Sequence, residues 1–122
     1  MIGYVTLGTN DLERAARFYD QLLGEIGASR FMDTDTFIAW STAPSAPALS
    51  VTKPFDGNAA TVGNGVMVAL VMDSQAKVDA LYRKAMELGA ADEGAPGPRG
   101  PGFYAGYFRD LDGNKLNAFY MG

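Results

Sequence analysis

The 122-residue chain contains neither cysteine nor histidine. Without thiols there is no disulfide framework, no thiolate metal site and no cysteine nucleophile. Without imidazoles, the commonest general base and the commonest metal ligand are missing together. Ser41, Ser45 and Ser50 therefore have no histidine to activate them, which excludes a Ser–His dyad. Long apolar runs are also lacking. The longest, Val66 to Met72, is far too short to span a bilayer. Met1 to Asn10 lacks the basic start and apolar stretch of a signal peptide, so the expectation is a cytoplasmic protein with no membrane partner. Basic charge is sparse: 10 Lys and Arg stand against 14 Asp and Glu, a net charge of −4. These basic residues form no stripe able to neutralise phosphates, so nucleic acid is not expected as a partner. Gly63-Asn64-Gly65 precedes a strand rather than a helix, which removes the usual phosphate cradle.

What remains is an ordinary globular composition, 48% hydrophobic and 20% charged, long enough for one compact domain. The chain repeats itself at an offset of 63 positions. Tyr4-Val5-Thr6-Leu7 falls on Met67-Val68-Ala69-Leu70, Asn10 on Asp73, Arg14 on Lys77 and Tyr19 on Tyr82. With one residue of slippage, Ile26-Gly27-Ala28 falls on Leu88-Gly89-Ala90.

Each copy begins with a strand, Ile2 to Leu7 or Val66 to Met72. A capping side chain follows, Asn10 or Asp11 in the first copy and Asp73 or Ser74 in the second. Leu12, Ala15, Phe18, Tyr19, Leu22 and Leu23 recur at helical spacing, as do Val78, Leu81, Tyr82, Ala85 and Leu88. Gly27 and Gly89 end the two helices. Three strands complete each copy: about 30–33, 36–40 and 48–53, then 91–93, 104–109 and 115–120. Asp112-Gly113-Asn114 marks a hairpin. Ala95 to Gly102, with three prolines and three glycines, reads as a loop. The expectation is an α+β chain of two tandem βαβββ modules, residues 1–53 and 66–122, with residues 54–65 as the connection.

Val5-Thr6-Leu7 with Asn10-Asp11-Leu12-Glu13-Arg14-Ala15 and Phe18-Tyr19 resembles the first strand and helix of the vicinal-oxygen-chelate superfamily, which includes glyoxalases, bleomycin-resistance proteins and extradiol dioxygenases. Tyr107-Phe108-Arg109-Asp110-Leu111-Asp112-Gly113-Asn114 resembles its closing signature, with Leu111 in place of the usual proline. The resemblance covers the whole chain. It implies a half-open mixed β-barrel with helices outside, a small ligand on the concave faces, and a homodimer. Metal-using relatives take one ligand from the first and one from the last strand of each module. Those positions fall here on Tyr4, on Leu49 or its neighbour Ser50, on Met67 and on Asn117. Phenol, thioether, amide and hydroxyl groups make a poor divalent site, and leucine offers nothing. No metal and no cofactor are therefore expected.

The candidate ligand-binding residues are Tyr4, Trp40, Leu49, Ser50, Met67, Arg99, Tyr104, Tyr107 and Asn117. Strand alternation aims Tyr4 and Asn117 inward, although both also read as core polar residues. Met67 reads more simply as a gap filler. Trp40 suits a flat ligand, with a core anchor as the plainer reading. Phe55, Phe103, Tyr104, Tyr107 and Phe119 are a second aromatic supply, in which only one of Tyr107 and Phe108 can face the cavity. Arg99 in Pro98-Arg99-Gly100-Pro101 can clamp an anion or stand solvated. Glu93 is the candidate catalytic base. The leading expectation is a metal-free binder of a small organic ligand. The rivals are a glyoxalase-like lyase or isomerase or a dioxygenase-like enzyme, with or without metal, and a structural role with a closed concave face.

Overall fold

A computed structural model describes all residues, 1–122. Its elements are β1 (Tyr4–Gly8), α1 (Leu12–Gly24), β2 (Ser29–Asp33), β3 (Phe37–Ser41), β4 (Ala48–Thr52), β5 (Val68–Val71), α2 (Gln75–Glu87), β6 (Ala91–Pro98), β7 (Phe103–Arg109) and β8 (Lys115–Met121). The chain is α+β, two tandem βαβββ modules. Each carries its own four-stranded mixed sheet, ordered β1-β4-β3-β2 and β5-β8-β7-β6, and neither sheet closes into a barrel. The modules form two compact units, Met1–Val62 and Gly63–Gly122. No helix is long and apolar enough to cross a membrane.

In the first unit, Asp11 caps α1 by accepting from the Arg14 amide at 3.0 Å. Ala15, Ala16, Phe18, Tyr19, Leu22 and Leu23 form its buried face, against β2, β3 and β4. Gly27, at φ 79°, lets the chain leave the helix, and the Ala28 amide returns to the Leu23 carbonyl. In the parallel β1–β4 pair Thr6 lies opposite Ser50, and in the antiparallel β3–β4 pair Ala39 also lies opposite Ser50.

The second unit repeats the plan. Ser74 caps α2 by accepting from the Lys77 amide, and Val78, Leu81 and Ala85 are buried on the sheet. The helix packs on β6, β7 and β8. The β7–β8 hairpin turns where the Asp110 carboxylate accepts from the backbone amides of Asp112 and Asn114 and from the Asn114 side chain.

One expectation is corrected. The Gly- and Pro-rich segment expected to be a loop from Ala95 is strand as far as Pro98, so β6 is eight residues long rather than three. It lies at the edge of its sheet, where proline breaks no ladder on its outer side. Register shifts between Asp92 and Gly94 and between Gly94 and Gly97 absorb the irregularity.

Candidate functional site

Each sheet has one face under its helix and one open face, and alternation assigns every strand residue to one or the other. In the first unit Leu49 pairs with Trp40 and lies beneath α1. Trp40 is 1% exposed, packs on Tyr19 with ring centroids 5.6 Å apart, and donates its indole N–H to Asp20 Oδ1 at 2.8 Å. Asp20 also receives a bidentate pair from Arg30 at 2.8 and 2.7 Å. Arg30, and secondarily the indole, hold the Asp20 carboxyl below its ordinary value, while the same contact raises the Arg30 guanidinium. Trp40 and Leu49 are therefore core and do not reach the open face, contrary to their sequence-based grouping with ligand contacts.

The open face of the first sheet carries Tyr4, Thr6, Ala39 and Ser50. Tyr4 is exposed and meets Phe37 edge to face at 6.4 Å. Ser50 is fully buried and its hydroxyl donates to the Val5 carbonyl at 2.8 Å. Its only proton is thus spent, and Thr6 donates to it in turn at 2.9 Å. Between the two alternatives at this position, Ser50 is the open-face residue.

In the second unit Leu116, Ala118 and Phe108 are fully buried on the helix side. Tyr104 shares that side and donates to Asp79 of α2 at 2.7 Å, a bond that raises its phenol above the ordinary value. Tyr82, on α2 itself, donates to Asp92 at 2.7 Å. Burial together with that bond pushes its phenol up to about 12. Tyr104 therefore braces the helix and does not join the open face with which the sequence grouped it. Tyr107, not Phe108, faces outward.

The open face of this second sheet is graded along its strands. At one end lie Glu93, Arg109 and Lys115. Glu93 Oε1 accepts from Arg109 Nε at 2.9 Å, and Lys115 Nζ stands 4.0 Å from it. Next comes Tyr107, with the Arg99 guanidinium 5.5 Å and the Lys115 ammonium 5.6 Å from its ring centroid. Asn117 lies opposite Tyr107 on β7 and Ala69 on β5. At the far end Phe103 and Phe119 stack at 5.6 Å. Met67 precedes β5 and is 40% exposed.

Two features of this face have physical causes in the sequence. Arg99 folds back to donate to the Ala95 carbonyl at 2.6 Å because β6 is nearly bare there. A Cβ on Gly97 would stand 3.1 Å from Arg99 Nη1, and one on Gly94 3.3 Å from Nη2. Asn117 is 1% exposed, and its Oδ1 has no hydrogen-bond partner. Such an orphaned group costs about 1–3 kcal/mol.

The residues at the positions that hold a metal in metal-using relatives do not suit a divalent ion. Tyr4 and Ser50 offer a phenol and a saturated hydroxyl, Met67 a thioether and Asn117 a neutral amide. No group of three or more Asp and Glu residues is placed to hold a cation.

A cleft of about 650 Å³ in the first unit lies elsewhere, between the start of α1 and the β2–β3 hairpin. Its walls mix Asp11, Glu13 and Asp33 with Arg17, Arg30 and Lys53, and neither Glu93 nor any of the nine candidate ligand-binding residues lines it. Sequence reasoning passed over Lys115, although counting back two from Asn117 along the strand puts it on the same face.

With this geometry in view, the comparisons with known proteins agree. The family described as Glyoxalase/Bleomycin resistance protein/Dioxygenase superfamily matches residues 1–118, and the chain belongs to it. A crystal structure of a glyoxalase/bleomycin resistance protein from Albidiferax ferrireducens is 32% identical, with a TM-score of 0.91 over 100% of this chain and 99% of that one. A lactoylglutathione lyase from Agrobacterium tumefaciens, 21% identical, shares the fold with a TM-score of 0.72 over 98% of this chain and 92% of that one. So does a glyoxalase/bleomycin resistance protein/dioxygenase family enzyme from Burkholderia phytofirmans, 17% identical, with a TM-score of 0.79 over 98% of each chain. A search of curated proteins finds no match.

Proposed function

We propose that this chain is a cytoplasmic, glyoxalase/bleomycin-resistance-like protein that binds a small organic ligand without a divalent metal ion. The ligand lies on the open face of the second sheet. Asn117, Tyr107, Arg99 and Met67 are the proposed contacts there, and Tyr4 and Ser50 occupy the equivalent face of the first module. The observation that carries this reading is Asn117. Where a metal-using relative would place a carboxylate, this chain has a buried neutral amide with an unpartnered oxygen. An amide selects a hydrogen-bonding ligand far better than a cation. Homodimerisation is part of the proposal, supported by apolar residues such as Tyr4, Met32 and Val71 that the single chain leaves exposed.

The test is titration of chelator-treated protein with cobalt, nickel and zinc, followed by calorimetry. The expected result is no stoichiometric tight binding. One equivalent of any of these ions, bound tightly and lost in Asn117→Leu, would refute the metal-free reading.

An enzyme is the second reading, and one observation favours it: Glu93 places a carboxylate on the same open face. Its Oε1 is occupied by Arg109 and Lys115, so it serves here as a counter-ion rather than a free base. Turnover of a thiohemiacetal that falls at least about a hundredfold in Glu93→Gln would establish the enzyme reading instead.

A further inference from the structure

The two modules are copies of one plan, and each places a buried polar residue at the centre of its open face. In the first, Ser50 is satisfied from within, because Thr6 stands opposite and the Val5 carbonyl is in reach. In the second, the equivalent of Thr6 is Ala69, which offers the Asn117 side chain nothing. The same fold thus contains a completed and an uncompleted version of one arrangement.

Charge on this face is equally unbalanced. Arg99, Arg109 and Lys115 face a single carboxylate, Glu93, in a chain whose net charge is −4. The Arg99 guanidinium in particular bonds only to the backbone carbonyls of Ala95 and Pro98. It lies 5.5 Å from the Tyr107 ring centroid, and the Lys115 ammonium lies 5.6 Å from the same centroid. At about 3.3 Å per residue, the strand from Lys115 to Phe119 runs about 13 Å, from cations through the amide to the stacked Phe103–Phe119 pair.

From this gradient we infer that the ligand is a flat aromatic or heteroaromatic organic acid bearing an N–H or O–H donor. Its anionic group meets Arg99 and Lys115. Its donor bonds to Asn117 Oδ1, and its ring spreads over Tyr107 towards Phe103 and Phe119. The inference rests on the binding role proposed above and specifies the chemistry of that same face.

Three related probes separate the elements: indole-3-acetate, the uncharged indole-3-acetamide, and 1-methylindole-3-acetate, which lacks the ring donor. Affinities are measured by calorimetry, and the bound face by amide chemical shifts. The expected order puts indole-3-acetate roughly tenfold or more above either analogue. In Arg99→Gln the preference for acetate over acetamide falls several-fold, Lys115 retaining the remainder, while that for N–H over N-methyl survives. In Ala69→Thr, which supplies Asn117 with the hydroxyl that Thr6 gives Ser50, the pattern reverses: the anion preference survives and the N–H preference is lost. Ala69 is exposed, so the added hydroxyl has room, and the fold of both variants is checked by thermal melting.

Equal affinity for all three probes, with shifts still at Tyr107 and Asn117, overturns the ligand class and leaves the binding role intact. Preferences that Arg99→Gln and Ala69→Thr do not touch overturn it as well. Failure of every probe to shift any residue of this face overturns both.

Discussion

Asn117 carries an unpartnered buried oxygen that costs stability and that the proposed binding role would put to use. Replacing it with leucine, which keeps the branching and the number of side-chain heavy atoms, removes an orphaned buried acceptor and no hydrogen bond. Asn117→Leu is therefore expected to raise the unfolding free energy by about 1 kcal/mol in urea titration while abolishing ligand binding. A loss of stability of that size would mean that the amide is satisfied. Asp20 is the opposite case, a residue whose side-chain oxygens are taken up by Arg30 and Trp40. Its folded-state carboxyl is depressed, chiefly by Arg30. A depressed carboxyl stabilises the fold above its ordinary value of 3.8, and that contribution is lost as pH falls through the lower folded value. Asp20→Asn should thus be less stable than the parent at pH 7, with the gap closing below about pH 4 in denaturant titrations. The effect is small, because the Asp20 side chain is 40% exposed. A gap independent of pH would deny the pairing. At this scale the sequence was only partly legible. Alternation aimed Tyr4 and Asn117 to the open faces, but nothing local reveals that Trp40 spends its N–H, or Tyr104 its O–H, on a helix carboxylate. Those bonds join residues 20 and 25 positions apart in the chain.

The elements were far easier to read than the contacts between them. Caps, helical periodicity and the D-G-N turn are local chemistry, and the structure uses Asp11, Ser74 and Asp112-Gly113-Asn114 as that chemistry requires. The extension of β6 from Gly94 to Pro98 was missed because Gly and Pro mark loops in isolation, whereas an edge strand tolerates both. Its glycines have a second consequence, since they leave space for Arg99. Gly97 has no positive φ, so Gly97→Ala is sterically tolerable in the backbone and acts mainly by pushing the guanidinium, whose Nη1 would lie 3.1 Å from the new Cβ. The expected outcome is a thermal midpoint within a few degrees of the parent and a several-fold weaker preference for indole-3-acetate over its amide. An unchanged preference would show that the placement of Arg99 over Tyr107 has no role in binding.

For the molecule as a whole, duplication is the organising fact. The 63-residue offset was visible without a structure and reappears as two sheets with the same strand order. Family membership followed from the same repeat and the two signature segments. The ligand did not, because the metal positions are filled by residues whose roles depend on three-dimensional partners: Ser50 is satisfied and Asn117 is not. Homodimerisation predicts a mass of twice 13.0 kDa by size exclusion with light scattering, and a single-chain mass at micromolar concentration would contradict it.

The central claim is that the open face of the second sheet binds an organic ligand without a metal. The most direct test is amide chemical-shift mapping with indole-3-acetate in excess chelator, repeated after zinc is supplied in excess of the chelator. The account predicts saturable shifts centred on Ala105, Tyr107 and Asn117 that zinc leaves unchanged. Shifts confined to the Asp11, Arg17 and Lys53 cleft, or shifts that arise only with zinc present, would contradict it.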